Sequence, residues 1–434
     1  MVKERALDAI TAISIKGFKS FAEEQRIEIS PLTLLAGANS SGKSSALQPL
    51  LLLKQTLEEV YDPGPLQIFG PHAKFSSAQQ LLARFPGGGS LEEFEISIAL
   101  HKRSGFREIF RRTPEDRFDL VQMEQGLPGG KSLILEPGLS SQELEKRLPV
   151  LKGISDHQSA HWIVVRQRCF LGVVPEELGY PLLPSTSSFA QPLLSILHVP
   201  GLRGNPERSY NTSAVGELFP GTFENYVASI IAAWQKSSDE RLSLLGQALQ
   251  SLGLTWRIEA NPLDATRVEL LVARLPKRTK SARGDLVNIA DVGFGVSQVL
   301  PVLVALLTAE PGQLVYIEQP ELHLHPQAQQ ALAPILAEAA GRGVRVVAET
   351  HSSILLLAIQ ALVAEGKLSP DILKLHWFQR DSRGATRVTS ADLDQNGAYG
   401  DWPVDFDRVE AAVGNRYLDA VEGKFFSAKK NAKG

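Results

Sequence analysis

Eight consecutive residues, Gly37-Ala38-Asn39-Ser40-Ser41-Gly42-Lys43-Ser44, have the types and spacing to hold a chain of phosphates. They fit G-x-x-x-x-G-K-S, in which glycines let the backbone curl until successive N–H groups point inward at an anion. In this motif the lysine, here Lys43, reaches the β- and γ-phosphates, and the hydroxyl of Ser44 faces a magnesium ion. The apolar run Leu32-Thr33-Leu34-Leu35-Ala36 ahead of the loop and Ala46-Leu47-Gln48-Pro49-Leu50-Leu51-Leu52-Leu53 behind it supply the strand and helix the motif requires. The helix N-terminus adds the positive end of its dipole. With every fixed position present in this context, a plain glycine-rich turn is the weaker reading. The chain is expected to bind a nucleoside triphosphate.

A second segment, Leu314-Val315-Tyr316-Ile317-Glu318, is an apolar strand that delivers an acid at its C-terminal end. That is the Walker B arrangement, in which a carboxylate orients the magnesium shell, so Ser44 and Glu318 form the expected metal pair. A third, Ala348-Glu349-Thr350-His351-Ser352, puts a polar tip on another apolar strand, with His351 placed to reach a γ-phosphate. Upstream, Asp291-Val292-Gly293-Phe294-Gly295-Val296-Ser297-Gln298 is a glycine-rich turn opening a helix, a second candidate phosphate-binding N-terminus. Glu321, His323 and His325 are ordinary metal-ligand types. The two histidines, however, stand two apart beside Pro326 in a loop, and a separate metal site there is not expected.

These residues need a sheet to present them. Ile13-Ser14-Ile15 and Ile27-Glu28-Ile29 predict an antiparallel pair before the phosphate-loop strand. Strong alternation of helix and strand returns after residue 285, with helices over Val296 to Leu307, Ala328 to Ala340 and Ile354 to Glu365 and a strand over Val344 to Ala348. The expected organisation is one split head from 1–60 and 285–380, a β-rich and helical lobe over 61–284 inserted between its halves, and a small extension over 381–434 ending in a disordered basic tail. In the insertion, Phe94 to Leu100, Trp162 to Val165 and Arg267 to Ala273 read as strands, and Phe223 to Leu252 as helical. Leu182 to Ser188 and Gly201 to Thr212 read as loops.

Composition narrows the setting. A chain of 434 residues exceeds one typical core, and 43% hydrophobic with 21% charged residues describes an ordinary globular protein. No apolar stretch is long enough to span a bilayer, and Met1-Val2-Lys3-Glu4-Arg5 does not read as a signal peptide. The single cysteine, Cys169, excludes an intrachain disulfide and a multi-thiolate metal site, and fits a cytoplasmic location. A net charge of −3 gives no global attraction to nucleic acid, so any such contact must come from a local patch.

Together the motifs resemble the ATPase head of the ABC, SMC and RecF superfamily. They resemble more closely the bacterial AAA family ATPases related to the heads of OLD-type nucleases and Septu-type anti-phage ATPases. The resemblance rests on Ile13 to Phe21, the phosphate loop, Val292 to Pro301, Tyr316 to Pro326 and Glu349 to Ser352. Val199-Pro200-Gly201-Leu202-Arg203 with Pro206, Arg208 and Tyr210 adds to it, and Gly397-Ala398-Tyr399-Gly400-Asp401-Trp402-Pro403 resembles the group's small C-terminal domain of unknown function. The resemblance implies an α/β P-loop NTPase fold of ABC-ATPase head type with a mixed sheet, ATP and Mg²⁺ as ligands, and a homodimer that sandwiches two nucleotides. The implied nucleotide contacts are Gly37 through Ser45, with Ser45 at the helix start, and Lys19. From the partner's signature loop they are Gly295, Ser297 and Gln298.

Two departures matter. Against L-S-G-G-Q, Gly295 stands where the serine normally is and Ser297 where a glycine is. Where relatives have Asp-Glu-Pro, this chain has Glu318-Gln319-Pro320, and an amide orients water without taking its proton. Hydrolysis is therefore expected to be slow and the ATP-bound dimer long-lived, unless Glu321 or His351 acts as base. The alternative is that Glu321 already serves and Gln319 only positions water, as the glutamine of small GTPases does.

Arg274-Leu275-Pro276-Lys277-Arg278-Thr279-Lys280 with Arg283, and Lys424 to Lys433, are either solvated segments or contacts to nucleic acid. Arg203 and Arg208 read as phosphate or partner contacts, or as a structural fork to a buried carboxylate. A complete OLD-type nuclease would need a further domain of clustered acids. The stretch after His351 is short for that, and Asp392-Leu393-Asp394 is its sole candidate pair, so a separate effector, nuclease or toxin, is expected. A RecF-like DNA-repair ATPase is the remaining alternative.

Overall fold

The computed structural model describes residues 7–399, apart from 87, 103–104, 128–130, 152–160, 178–186 and 276–284. The basic stretch from Pro276 to Arg283 and the tail from Gly400 onward lie outside the described residues.

The phosphate loop hangs on a six-stranded sheet: β3 (Leu32–Gly37), β10 (Leu197–Val199), β15 (Leu314–Glu318), β16 (Arg345–Glu349), β17 (Leu373–Arg380) and β18 (Thr386–Ala391). Its order is β10-β15-β16-β3-β17-β18, parallel throughout except for the β17–β18 hairpin. This mixed sheet draws β10 from the 61–284 segment and β18 from beyond residue 380. The sequence reading had identified neither strand.

A second, antiparallel sheet holds β1 (Ile10–Lys16), β2 (Gln25–Glu28), β4 (Glu93–Leu100), β5 (Phe106–Arg112), β6 (Phe118–Gly126) and β7 (Ser132–Leu135) in the order β2-β1-β4-β5-β6-β7. The expected pairing of the first two strands is present, with Ile13 opposite Ile27. A β8–β9 hairpin (Trp162–Gln167, Phe170–Pro175) packs on β6. A smaller sheet follows, from β11 (Tyr210–Asn211), β12 (Ile258–Pro262), β13 (Arg267–Ala273) and β14 (Leu286–Asn288).

The helices are α1 (Lys43–Glu58), α2 (Ser141–Arg147), α3 (Ser187–Leu194), α4 (Val227–Ser237), α5 (Glu240–Ser251), α6 (Phe294–Thr308), α7 (Pro326–Gly341) and α8 (Ser353–Ala364). The run expected to be helical from 223 to 252 is broken into α4 and α5. Ser238 adopts a left-handed φ of 54°, and Asp239 restarts the helix by accepting from the Arg241 N–H at 2.9 Å. No helix among the described residues is long and apolar enough to cross a membrane.

Strand periodicity sorts the sheet into two faces. Val315 and Ile317 of β15, Val346 and Ala348 of β16, and Leu32 and Leu34 of β3 join the core formed with α4 to α8. Leu314, Tyr316, Val347 and Leu35 point the other way, onto the leucines of α1 and the antiparallel sheet. Tyr316 and Glu318 therefore share the face that α1 covers. That alternation brings the acid at the strand tip to the phosphate-loop side.

Glu108 on β5 is fully buried, and among the described residues neither of its carboxyl oxygens has a hydrogen-bond partner. Burial alone pushes its carboxyl well above the usual range. The unfolded chain ionises near pH 4.3 while the folded chain stays protonated, so stability is full below that value and falls as pH rises toward the folded value. Each pH unit in that window costs about 1.4 kcal/mol. Glu108→Gln should abolish this slope, and melting temperatures taken from about pH 5 to about pH 8 should fall less for the variant than for the parent.

Candidate functional site

The phosphate loop is built as its sequence requires. Gly37 and Gly42 take φ values of 143° and 109°. A Cβ on the first would strike the Phe378 carbonyl and one on the second the Thr386 hydroxyl. Ala38, Asn39 and Ser40 form an exposed tip, while Ser41 is buried. The β17–β18 hairpin braces the loop from outside: Arg380 Nε donates to Ser40 O at 2.9 Å and Thr386 Oγ1 to Ser41 O at 2.7 Å. Lys43 is 3% exposed and lies back across its own loop, its Nζ donating to Gly37 O at 3.0 Å and Ala38 O at 2.8 Å. Ser45 is half-buried in the first turn of α1.

The carboxylates converge here. Burial pushes the Lys43 ammonium down, and the charges of Glu349 and Glu321 pull it back up. Ser44 Oγ donates to Glu349 Oε1 at 2.9 Å. The sequence pairs Ser44 with Glu318; in the structure the serine's hydrogen-bond partner is Glu349. The cause is register: Glu318 and Glu349 end adjacent parallel strands as Cα partners, so their side chains share one face. Tyr316, buried beneath them, donates its hydroxyl to Glu349 Oε2 at 3.2 Å.

The two acids differ in their environments. Burial raises Glu349, Ser44 lowers it, and the neighbouring Glu318 raises it again, leaving it above the ordinary range. Burial also pushes Glu318 up, but the His198 hydrogen bond and charge and the Gly201 amide outweigh it and hold Glu318 below the ordinary range. Its Oε1 meets His198 Nε2 at 3.2 Å, and its Oε2 accepts from the Gly201 N–H at 3.1 Å.

Gln319 and Glu321 take separate positions past the strand. Gln319 has a left-handed φ of 47° and anchors its N–H on Glu349 O at 2.8 Å. Glu321 is 9% exposed, and its Oε1 accepts from the His351 N–H at 2.8 Å. Its Oε2 has no hydrogen-bond partner among the described residues. Burial raises its carboxyl more than the His351 amide pulls it back. His351 itself is half-buried, lowered first by burial and then by the charge of Lys43.

Other expected contacts are arranged differently. Lys19 Nζ is held by Gln48 Oε1 at 2.8 Å and lies 5.0 Å from the Phe75 ring centroid. In the signature segment, the α6 N-terminus has Gly293 at its cap with no side-chain capping bond. Phe294 is 50% exposed beside it, and Gly295 and Ser297 are half-buried. Ser297 Oγ turns back to Phe294 O at 3.0 Å. Gln298 faces inward, 3% exposed, with Nε2 on Gly204 O at 3.1 Å. As placed it serves as an internal brace between α6 and Gly204. His325 accepts at Nδ1 from Gln327 N–H at 3.3 Å as the α7 cap, with Pro326 following at the first helical position.

Arg203 points inward. Its guanidinium is buried, and burial lowers it to about 10. It donates to three carbonyls: Gln298 O at 3.0 Å, Glu318 O at 2.7 Å and Gln319 O at 3.3 Å. One side chain thus ties α6 to the end of β15. Arg208 forms an exposed fork to Asp291, at 2.7 Å for the shorter contact.

Ser44, Glu318 and Glu349 are all hard oxygen donors, and one or two carboxylates with substrate phosphates and waters are what Mg²⁺ takes. Among the described residues no group of three or more His, Cys, Asp or Glu is arranged to hold a metal by itself. The donor set therefore fits a magnesium ion that arrives with its phosphates.

Among solved structures, the chain is similar to an SMC head bound to the C-terminal winged-helix domain of ScpA, at 14% identity over 89% of this chain and 98% of that one, TM-score 0.47. It is similar to the SMC head domain from Thermotoga maritima at 12% identity over 88% and 98%, TM-score 0.36. A third is the SMC head with an extended coiled coil bound to the C-terminal domain of ScpA from Pyrococcus furiosus, at 13% over 89% and 97%, TM-score 0.43. No curated protein matches the chain. A family model described as "AAA domain, putative AbiEii toxin, Type IV TA system" matches residues 32–358, from the strand before the phosphate loop into α8. The phosphate loop, the paired acids and the Glu321–His351 contact all lie within that match, and the chain belongs to this AAA-domain family.

Proposed function

We propose that the chain is an ATP-binding, slowly hydrolysing switch of the OLD- and Septu-like group that dimerises around ATP and acts with a separate effector in an anti-phage or other DNA-linked system. The observation that carries it is the convergence of Lys43, Ser44, Glu318, Glu349, Glu321 and His351 on one phosphate loop. The family's description as a putative toxin of a type IV toxin–antitoxin system supports the defence role.

In this reading Lys43 exchanges the Gly37 and Ala38 carbonyls for phosphate oxygens, and the loop amides hold the remainder. Ser44, Glu318 and Glu349 would hold a magnesium ion, which would supply positive charge to the phosphates; Gln319 orients the attacking water and Glu321 takes its proton. Gln319, an amide where relatives carry a glutamate, keeps turnover slow, and burial raises the Glu321 carboxyl above its usual range. The uncapped N–H groups at the start of α6 suit a γ-phosphate presented by a second copy.

Sedimentation of Glu321→Gln, chosen to retain ATP, tests the dimer. Mg-ATP should convert monomer to dimer at micromolar protein, and an unchanged mass at saturating ATP overturns the dimeric switch.

A further inference from the structure

A line of buried polar side chains runs from Glu318 away from the phosphate loop. His198 Nδ1 meets His72 Nδ1 at 3.1 Å, and His72 Nε2 meets Glu58 Oε2 at 3.2 Å. Glu58 pairs with Lys54 at 2.6 Å, and Lys54 Nζ also donates to Leu194 O at 2.8 Å. The side chains of Lys54, His72 and His198 are at most 2% exposed. Burying ionisable groups is costly unless each is paired, and here each is paired with the next. The series ends on Glu318, whose side chain is the most exposed of the five at 24%.

The elements explain why the line holds its course. His198 is the register partner of Tyr316 across β10 and β15, and the two rings stack at 5.4 Å and 9°. Glu318 lies two residues past Tyr316 on the same face, within reach of His198 Nε2. The Gln55 amide on α1 fixes the loop that carries His72. It donates to Gln67 O and Ala73 O and accepts from the His72 and Ala73 N–H groups. The Gly221 N–H secures Glu58 Oε2 at 3.1 Å.

We propose that His198, oriented by His72 and Glu58, is a positioning residue that sets the Glu318 carboxylate for its metal, and that the 197–203 segment thereby couples the inserted region to metal binding. Both oxygens of Glu318 are held from this one segment, Oε1 by His198 and Oε2 by Gly201, while Arg203 ties down the Glu318 carbonyl. A shift of residues 197–203 frees the carboxylate at both oxygens together. Partners that orient metal-binding groups typically change metal affinity 10–100-fold when removed.

The inference rests on the magnesium site proposed above, and one experiment separates the two. Mn²⁺ binding to the full chain with a non-hydrolysable ATP analogue is read by electron paramagnetic resonance, alongside analogue binding without metal. His198→Ala should weaken Mn²⁺ at least about tenfold and leave metal-free analogue binding within about twofold. His198→Gln, which can present an amide donor toward Glu318, should recover part of the loss. His72→Ala should weaken Mn²⁺ by less than His198→Ala. If the parent binds no Mn²⁺ with the analogue, the proposed magnesium site itself fails. If the parent binds and His198→Ala binds as tightly, the positioning role is overturned. Should His198→Ala not fold, His72→Ala and His198→Gln decide it, and parental Mn²⁺ affinity in His72→Ala overturns the relay.

Discussion

Glu321→Gln is expected to lower steady-state ATP turnover about 10²–10⁴-fold while leaving ATP affinity within about twofold, because it removes a base and keeps the shape. Glu321 is buried, its Oε1 is fixed by the His351 amide, and its Oε2 is buried with no hydrogen-bond partner among the described residues. Its raised carboxyl gives the prediction a pH signature. The base form exists only above the folded value, so kcat of the parent should rise with pH through that ionisation and then level off. The residual rate of the glutamine variant should lack that rise. Gln319→Glu supplies a second carboxylate at the strand end and should raise turnover of the parent. An unchanged or lower rate in Gln319→Glu would sink the idea that the amide limits hydrolysis. Parental turnover in Glu321→Gln would remove Glu321 from the reaction altogether.

Glu349→Gln is expected to raise the Mg²⁺ concentration needed for half-maximal turnover about 10²-fold. A charge–metal contact is worth several kcal/mol, and about 1.4 kcal/mol is tenfold. The same variant should melt at a higher temperature without metal. Burial and the like charge of Glu318 both push Glu349 up, so relieving them favours the folded chain where the unfolded carboxyl is ionised. Thermal melts with and without Mg-ATP check both halves: the metal-free melt rises and the gain on adding Mg-ATP shrinks. A variant with the parent's Mg²⁺ requirement contradicts the assignment of Glu349 beside Ser44.

How legible these residues were depends on how local their cause is. Gly37, Gly42, Lys43 and Ser44 were readable because a few adjacent backbone torsions make the whole cradle. Glu318 was readable because an apolar strand ending in an acid is a local pattern. Glu349 ends a similar strand, but its role follows from lying opposite Glu318 in a parallel register, which neither segment encodes alone. His72 and His198 are 126 positions apart, and only the insertion of the three-residue strand β10 at the sheet edge brings them together. A strand that short gives too little periodicity to detect.

Gln298, aligned with a signature glutamine, has Gly204 as the partner of its side chain and Arg203 as the partner of its carbonyl, contacts no local pattern encodes. Arg203 was noticed as a buried-fork candidate, yet its partners are carbonyls, which no side-chain pattern reveals. The fold class was legible from the order of the motifs. The assignment of β10 and β18 to the head sheet was not.

Calorimetric titration with Mg-ATP tests the centre of the account most directly. The parent should bind one nucleotide per chain, and Lys43→Ala should lose at least about tenfold in affinity while keeping the parent's far-ultraviolet circular dichroism, because it removes a charged hydrogen-bond donor to the phosphates. Absence of binding by the folded parent, or equal affinity in Lys43→Ala, would contradict a phosphate site built on this loop.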